Sequence, residues 1–128
     1  MAIYMTAQYQ VHPSQVEKVK ESIRSLVTHV KNHEPLTTIY IAQQEILDSS
    51  KFMHILRFED ETALKIHQSS PASAQFVRTV YPKTIKPIEF GEYNLIATIN
   101  PWKNSRSHAV SLTSWVFVRA QTNASPHQ

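Results

Sequence analysis

Residues 52–67 read FMHILRFEDETALKIH, and two periodicities meet inside them. From Phe52 to Phe58 the side chains alternate, with Phe52, His54, Leu56 and Phe58 on one face and Met53, Ile55 and Arg57 on the other. That is a strand. At Glu59-Asp60-Glu61 the alternation stops and acidic residues gather, as they do where a helix N-terminus favours negative charge. Ala63, Leu64 and His67 then recur at helical spacing. A strand, a tight turn and a helix folding back over the Phe52/His54/Leu56/Phe58 face would enclose a cavity lined by Phe58, His54 and His67.

Upstream, Ile3 to Val11 alternates, with Ile3, Met5, Ala7, Tyr9 and Val11 on an apolar face and Tyr4, Thr6, Gln8 and Gln10 on a mixed one. His12-Pro13-Ser14 ends this strand, and Ser14 with Glu17 has the spacing of a capping box. The following helix carries Val16, Val19, Ile23, Leu26, Val27 and Val30 on one stripe. It is predicted to run to about Asn32, since Pro35 forbids its continuation. Thr37 to Ile46 is rich in β-branched residues and predicts a second strand, joined by Leu47-Asp48-Ser49-Ser50 to the strand at Phe52 as an antiparallel hairpin.

Downstream, Ser69-Ser70-Pro71 interrupts the helix and starts a new one, with Phe76, Val77 and Val80 as its buried side. Pro82 and Pro87 bracket the way into a fourth strand over residues 88–99. Its apolar phase changes at Gly91, predicting a bulge there. The order is strand, helix, strand, strand, helix, strand. This predicts an α+β, ferredoxin-like βαββαβ domain over residues 1–100, with a four-stranded antiparallel sheet and helices on one face. The other face, with Tyr4, Ile39, Ile41, Met53, Ile55 and Ile96, is too apolar for water, so a homodimer packed sheet to sheet is expected. Residues 101–128 form a C-terminal extension. Within it Ala109 to Ala120 could make one more strand, with Trp115 as an anchor on the partner subunit, before a polar tail.

Composition narrows the function classes. The 128 residues suffice for one domain, and 41% of them are hydrophobic. Thirteen Lys+Arg against ten Asp+Glu give +3, spread without a basic block, so no nucleic-acid partner is expected. The chain has no cysteine, which removes disulfides, thiolate ligands and a cysteine nucleophile. A single glycine excludes glycine-rich phosphate loops. No run reaches the length of a membrane span and no signal-peptide pattern opens the chain, so a cytoplasmic protein without a membrane partner is expected.

Glu34-Pro35 before the second strand, Tyr40 within it, Phe58-Glu59-Asp60 ending the third, then Ala63-Leu64, His67 and Ser70-Pro71 together resemble the antibiotic biosynthesis monooxygenase superfamily of small dimeric ferredoxin-like proteins. The resemblance covers about residues 1–100. It departs from the family pattern at Leu36, where glycine is usual, and at Phe58, where tryptophan is usual. It implies a cofactor-independent monooxygenase acting with dioxygen on a small aromatic phenol, quinol or polyketide-type substrate. Haem-degrading members carry an asparagine in the first strand, a tryptophan ending the third and a histidine in the late helical region. Ala7 (or Gln8), Phe58 and about Val77 stand at those places, so haem degradation is disfavoured. The alternatives are a non-enzymatic dimeric ligand-binding or structural module on the same fold, and a cyclase or isomerase.

Oxygenation without metal or flavin needs a substrate that gives its own electrons to dioxygen. The protein must remove a proton and hold the anion in an apolar cavity. Histidine suits the proton step. His67 and His54 are the candidate catalytic residues, each weighed against the reading of a satisfied core histidine. Phe58, Tyr40, Tyr9 and Phe76 are the candidate substrate-binding residues, although aromatic residues in strands mostly pack. His29 and His33 have metal-site spacing but lack an accompanying glutamate motif. They complement a helix C-terminus, and no metal or other cofactor is expected. Glu59, Asp60 and Glu61 read as helix capping.

Overall fold

The structure, a computed structural model, describes residues 1–99. Its elements are β1 (Ile3–Gln10), α1 (Val16–His33), β2 (Thr37–Gln44), β3 (Lys51–Phe58), α2 (Glu61–Ser69), α3 (Pro71–Val80) and β4 (Glu89–Tyr93). The four strands form one sheet in the order β2-β3-β1-β4, every pair antiparallel. This is the ferredoxin-like α+β arrangement. Met1–Asn94 forms one compact unit, to which residues 95–99 do not belong.

Period-two alternation in β3 decides which side of the sheet the helices cover. Phe52, His54, Leu56 and Phe58 are all buried on the helix side. From α1, Val19, Ile23, Leu26 and Val30 close over that side, as their spacing requires. The interior divides into two clusters. One comprises Tyr9, Val11, Val19, Ile23, Phe52 and Val80, and the other is built on Leu56, Phe58 and Ala63.

Helix ends follow local chemistry. The Asp60 carboxylate accepts from the Ala63 N–H at 2.8 Å and starts α2. Ser70 ends α2 and begins α3, its hydroxyl accepting from the Ser73 N–H at 3.0 Å while Pro71 takes the first helical position. The capping box expected at Ser14 and Glu17 does not form. Pro13–Gln15 makes a tight helical turn of its own before α1, so Ser14 lies inside a turn and α1 starts without a side-chain cap. Of the acidic trio, only Asp60 caps through its side chain. Glu59 pairs instead with the Arg57 guanidinium at 2.8 Å.

Two strands are shorter than their sequence suggests. β2 ends at Gln44, and Ile46 and Leu47 stand exposed in the hairpin connection. β4 stops at Tyr93 instead of reaching residue 99, so Ile96 is not part of the sheet. The bulge expected at Gly91 is absent, since β1 and β4 pair in unbroken register from Tyr4↔Tyr93 to Gln8↔Glu89. Phe90, opposite Ala7, and Tyr93, opposite Tyr4, lie on opposite faces of the same unbroken strand. Gly91 has a different use: a Cβ there would come within 2.7 Å of the Tyr93 hydroxyl, so the missing side chain gives the Tyr93 ring its place. The register shift in the sheet falls between Thr37 and Ile39 in β2. In α3, Val80 is buried as expected but Val77 is 40% exposed, because it sits at the margin of the stripe. The expected strand at 109–120, the Trp115 anchor and the polar tail lie outside the described residues.

Candidate functional site

His54 lies at the centre of the sheet's helix side, opposite Ala7 on β1 and Ala42 on β2. Two alanines flanking a histidine leave room that larger side chains would fill. Tyr9 and Tyr40 stand one diagonal step away on the same two strands, within reach of an inward-pointing ring. The Tyr9 hydroxyl lies 2.7 Å from His54 Nε2, and the Tyr40 hydroxyl 2.8 Å from His54 Nδ1. The result is a buried phenol–imidazole–phenol chain spanning three strands. A cavity of about 230 Å³ opens beside it where the two core clusters meet, and Leu56, Phe58, Phe76, Ile88 and His67 line it further. Its walls are mostly apolar. A larger depression of about 490 Å³ runs along Gln8, Gln10, Gln43, Glu45 and Lys51 and contains no histidine.

Burial assigns the protons. It lowers the His54 pKa from 6.5 to about 4, with the nearby His67 adding to the effect. His54 is therefore neutral at pH 7, with one N–H and one bare nitrogen. Burial also raises both phenols well above the ordinary tyrosine range, helped by Tyr40 and Tyr81 at Tyr9 and by Glu34 at Tyr40. Both remain O–H groups. Whichever tautomer His54 adopts, one tyrosine donates to its bare nitrogen and the other accepts its N–H. The second tyrosine keeps a free O–H to offer a ligand oxygen.

His67 has different partners. Its Nδ1 lies 2.9 Å from Glu34 Oε1, a carboxylate only 4% exposed at the end of α1. Its ring stands 5.4 Å from Phe58 and 5.9 Å from Tyr40, centroid to centroid. Nε2 makes no hydrogen bond among the described residues. A carboxylate behind one ring nitrogen fixes the imidazole's orientation.

The structure thus brings all six residues singled out in the sequence to one cavity: His54, His67, Phe58, Tyr40, Tyr9 and Phe76. The Phe76 ring meets the His54 ring edge-on at 5.8 Å. It gives the two histidines unlike surroundings, which the sequence did not anticipate. Glu34 is the residue that sequence reasoning passed over as a binding or catalytic group. Its signals were its place before Pro35, where α1 must stop and the chain must turn toward β2, and its part in the Glu34-Pro35 motif of the family resemblance. The His29 and His33 rings lie tilted against each other with centroids 4.9 Å apart, and no group of three or more His, Asp or Glu among the described residues is arranged to hold a metal ion.

A ferredoxin-like sheet covered on one face, with a small apolar cavity between sheet and helices, defines a class of compact α+β pocket proteins. Within that class, this chain belongs to the antibiotic biosynthesis monooxygenase family, whose profile matches residues 2–79. Among solved structures it is similar to Rv0793 from Mycobacterium tuberculosis, 14% identical with a TM-score of 0.71 over 78% of this chain and 100% of that one. PA3566 from Pseudomonas aeruginosa is 22% identical with a TM-score of 0.68 over 75% and 95% of the two chains. A structure described as an antibiotic biosynthesis monooxygenase is also 22% identical, with a TM-score of 0.69 over 76% and 100%. At these identities the likeness is one of fold. No curated protein matches the sequence.

Proposed function

We propose that this protein is a cofactor-independent monooxygenase that oxidises a small aromatic phenol or quinol with dioxygen, using His67 as the base. One observation carries the reading: among the described residues, His67 is the only polar group lining the cavity that combines a carboxylate behind one ring nitrogen with an unbonded second nitrogen. The competing groups are otherwise engaged. Tyr9 and Tyr40 hold their protons, and both nitrogens of His54 are occupied. Size supports a ring-sized substrate, since a cavity of about 150 Å³ already accepts benzene and this one is about 230 Å³.

In the proposed reaction His67 Nε2 takes the phenolic proton, and the free tyrosine O–H steadies the resulting oxyanion. The electron-rich anion passes one electron to dioxygen, and the radical pair combines at a ring carbon bearing hydrogen. His67 returns its proton to the peroxide. Loss of water then leaves a carbonyl at that carbon, so that phenol and dioxygen give quinone and water. The apolar walls favour this course by keeping bulk water from the anion and the peroxide. The protein works as a cytoplasmic homodimer joined through the outer sheet face, where Ile39, Ile41, Met53 and Ile55 form an apolar band in which Ile41 is 46% exposed.

Oxygen uptake with a panel of quinols and phenols, in chelator-treated buffer, tests the proposal. Uptake should depend on substrate and fall about 10²–10⁴-fold in His67→Ala. A substrate consumed equally fast by wild type and His67→Ala would defeat the assignment.

A further inference from the structure

We propose that Glu34 couples His67 in the cavity to His29 outside it, so that a proton gained by one imidazole is matched by a proton lost from the other. The proposal rests on His67 as the base and adds the means by which its charge is balanced.

The geometry is a single carboxylate between two imidazoles. Glu34 Oε1 accepts from Thr37 Oγ1 at 3.2 Å and lies 2.9 Å from His67 Nδ1. Glu34 Oε2 is buried without a hydrogen-bond partner, and His29 Nε2 lies 3.4 Å from it, within ion-pair distance but without hydrogen-bond alignment. Each histidine thus addresses its own oxygen of the same group.

Position makes this carboxylate demand a cation. It is nearly fully buried, where an unpaired charge is strongly disfavoured. It also caps the C-terminus of α1, where the helix carbonyls already present negative potential. One imidazolium neutralises it. A second would be a like charge close to the first with no anion left to offset it. The two histidines therefore compete. The His29 side chain is 27% exposed and exchanges protons with water, while that of His67, 13% exposed, faces the cavity.

The other titratable groups around the triad do not supply the missing charge. On α1, the His33 ring lies tilted against that of His29 and adds a further imidazole. From β2, Tyr40 stays protonated, and from β3, His54 is neutral at pH 7. When substrate gives its proton to His67 Nε2, His29 releases one to water, and the triad keeps a constant charge. When the peroxide takes that proton back, His29 reloads from water. No proton has to cross the carboxylate.

The test reads the His67 ring by proton NMR as a function of pH, its signals identified by their loss in His67→Ala. In His29→Gln the competitor is gone, and the His67 titration curve should move to higher pH. In Glu34→Gln it should fall. If the buried amide prevents folding, His29→Gln alone decides, since that side chain is partly exposed. A His67 curve in His29→Gln superimposable on wild type would overturn the coupling. The acid limb of the oxygen-uptake profile should move in the same directions. The NMR measurement needs no substrate, so the two proposals fail separately. A shifted curve without oxygen uptake sinks only the monooxygenase reading, and uptake with an unshifted curve sinks only the coupling.

Discussion

Acid should destabilise this fold through His54 before most carboxylates titrate. His54 is 2% exposed and bonded at both nitrogens to neutral phenols, and burial lowers its pKa from 6.5 to about 4. In the unfolded chain the ring returns to about 6.5. Between these values the unfolded state binds a proton that the folded state refuses. The stability His54 contributes is therefore complete above about pH 6.5 and is lost as pH falls from there toward 4. At 1.36 kcal/mol per pH unit, the loss between pH 7 and pH 4 is about 3 kcal/mol. Against the 5–15 kcal/mol typical of a whole domain, about 3 kcal/mol is readily measured. Urea unfolding followed by far-UV circular dichroism at pH 7, 5.5 and 4 would supply the free energies for wild type and for His54→Gln. The glutamine variant starts from lower stability because it fits the two tyrosines imperfectly, so the comparison is of slopes. Wild type should lose about 3 kcal/mol more than the variant across this range. Equal slopes would mean that His54 is not a buried neutral base, and the proton assignment of the tyrosine chain would fall with it.

Other consequences can be checked on the same footing. Phe58 is 1% exposed at the end of β3, so Phe58→Ala should cost about 3–5 kcal/mol in urea unfolding; a loss below 1 kcal/mol would show that the cavity collapses over the gap. Asp60→Ala removes the cap of α2 and should cost about 1 kcal/mol while leaving the His67 titration in place. Ala7→Leu extends a side chain into the cavity opposite His54 and should raise KM for an aromatic substrate about tenfold or more, equivalent to about 1.4 kcal/mol of binding, with little change in stability. Ile55→Lys buries an unpaired charge in the proposed sheet-to-sheet contact, so sedimentation should show monomer where wild type is dimeric; a wild-type monomer at micromolar concentration would remove the dimer altogether.

The local code of this chain is unusually direct where one physical rule acts alone. Alternation in residues 52–58 placed His54 and Phe58 on the covered face because a strand has only two faces. Ser70-Pro71 restarted a helix because proline can occupy the first helical position, where its missing N–H costs nothing. The same reasoning failed where two rules competed. Ser14 has capping-box spacing to Glu17, but Pro13 closes a tighter turn first. Gly91 coincides with a phase change, yet the strand runs through it in register with Phe90 and Tyr93 on opposite faces, and the glycine serves the Tyr93 ring instead.

By itself the sequence determined the element order, the faces of the central strands and six of the residues that line the cavity, through periodicities of two and 3.6 residues and the motifs placed on them. Only the tertiary structure decided their chemistry. Whether a histidine is a base depends on what meets its two nitrogens, and those partners come from distant parts of the chain. Tyr9 reaches His54 from 45 positions away, and Glu34 reaches His67 from 33. Hydrogen bonds and burial act over a few ångströms in space, and no spacing along the chain records which side chains the fold will bring that close.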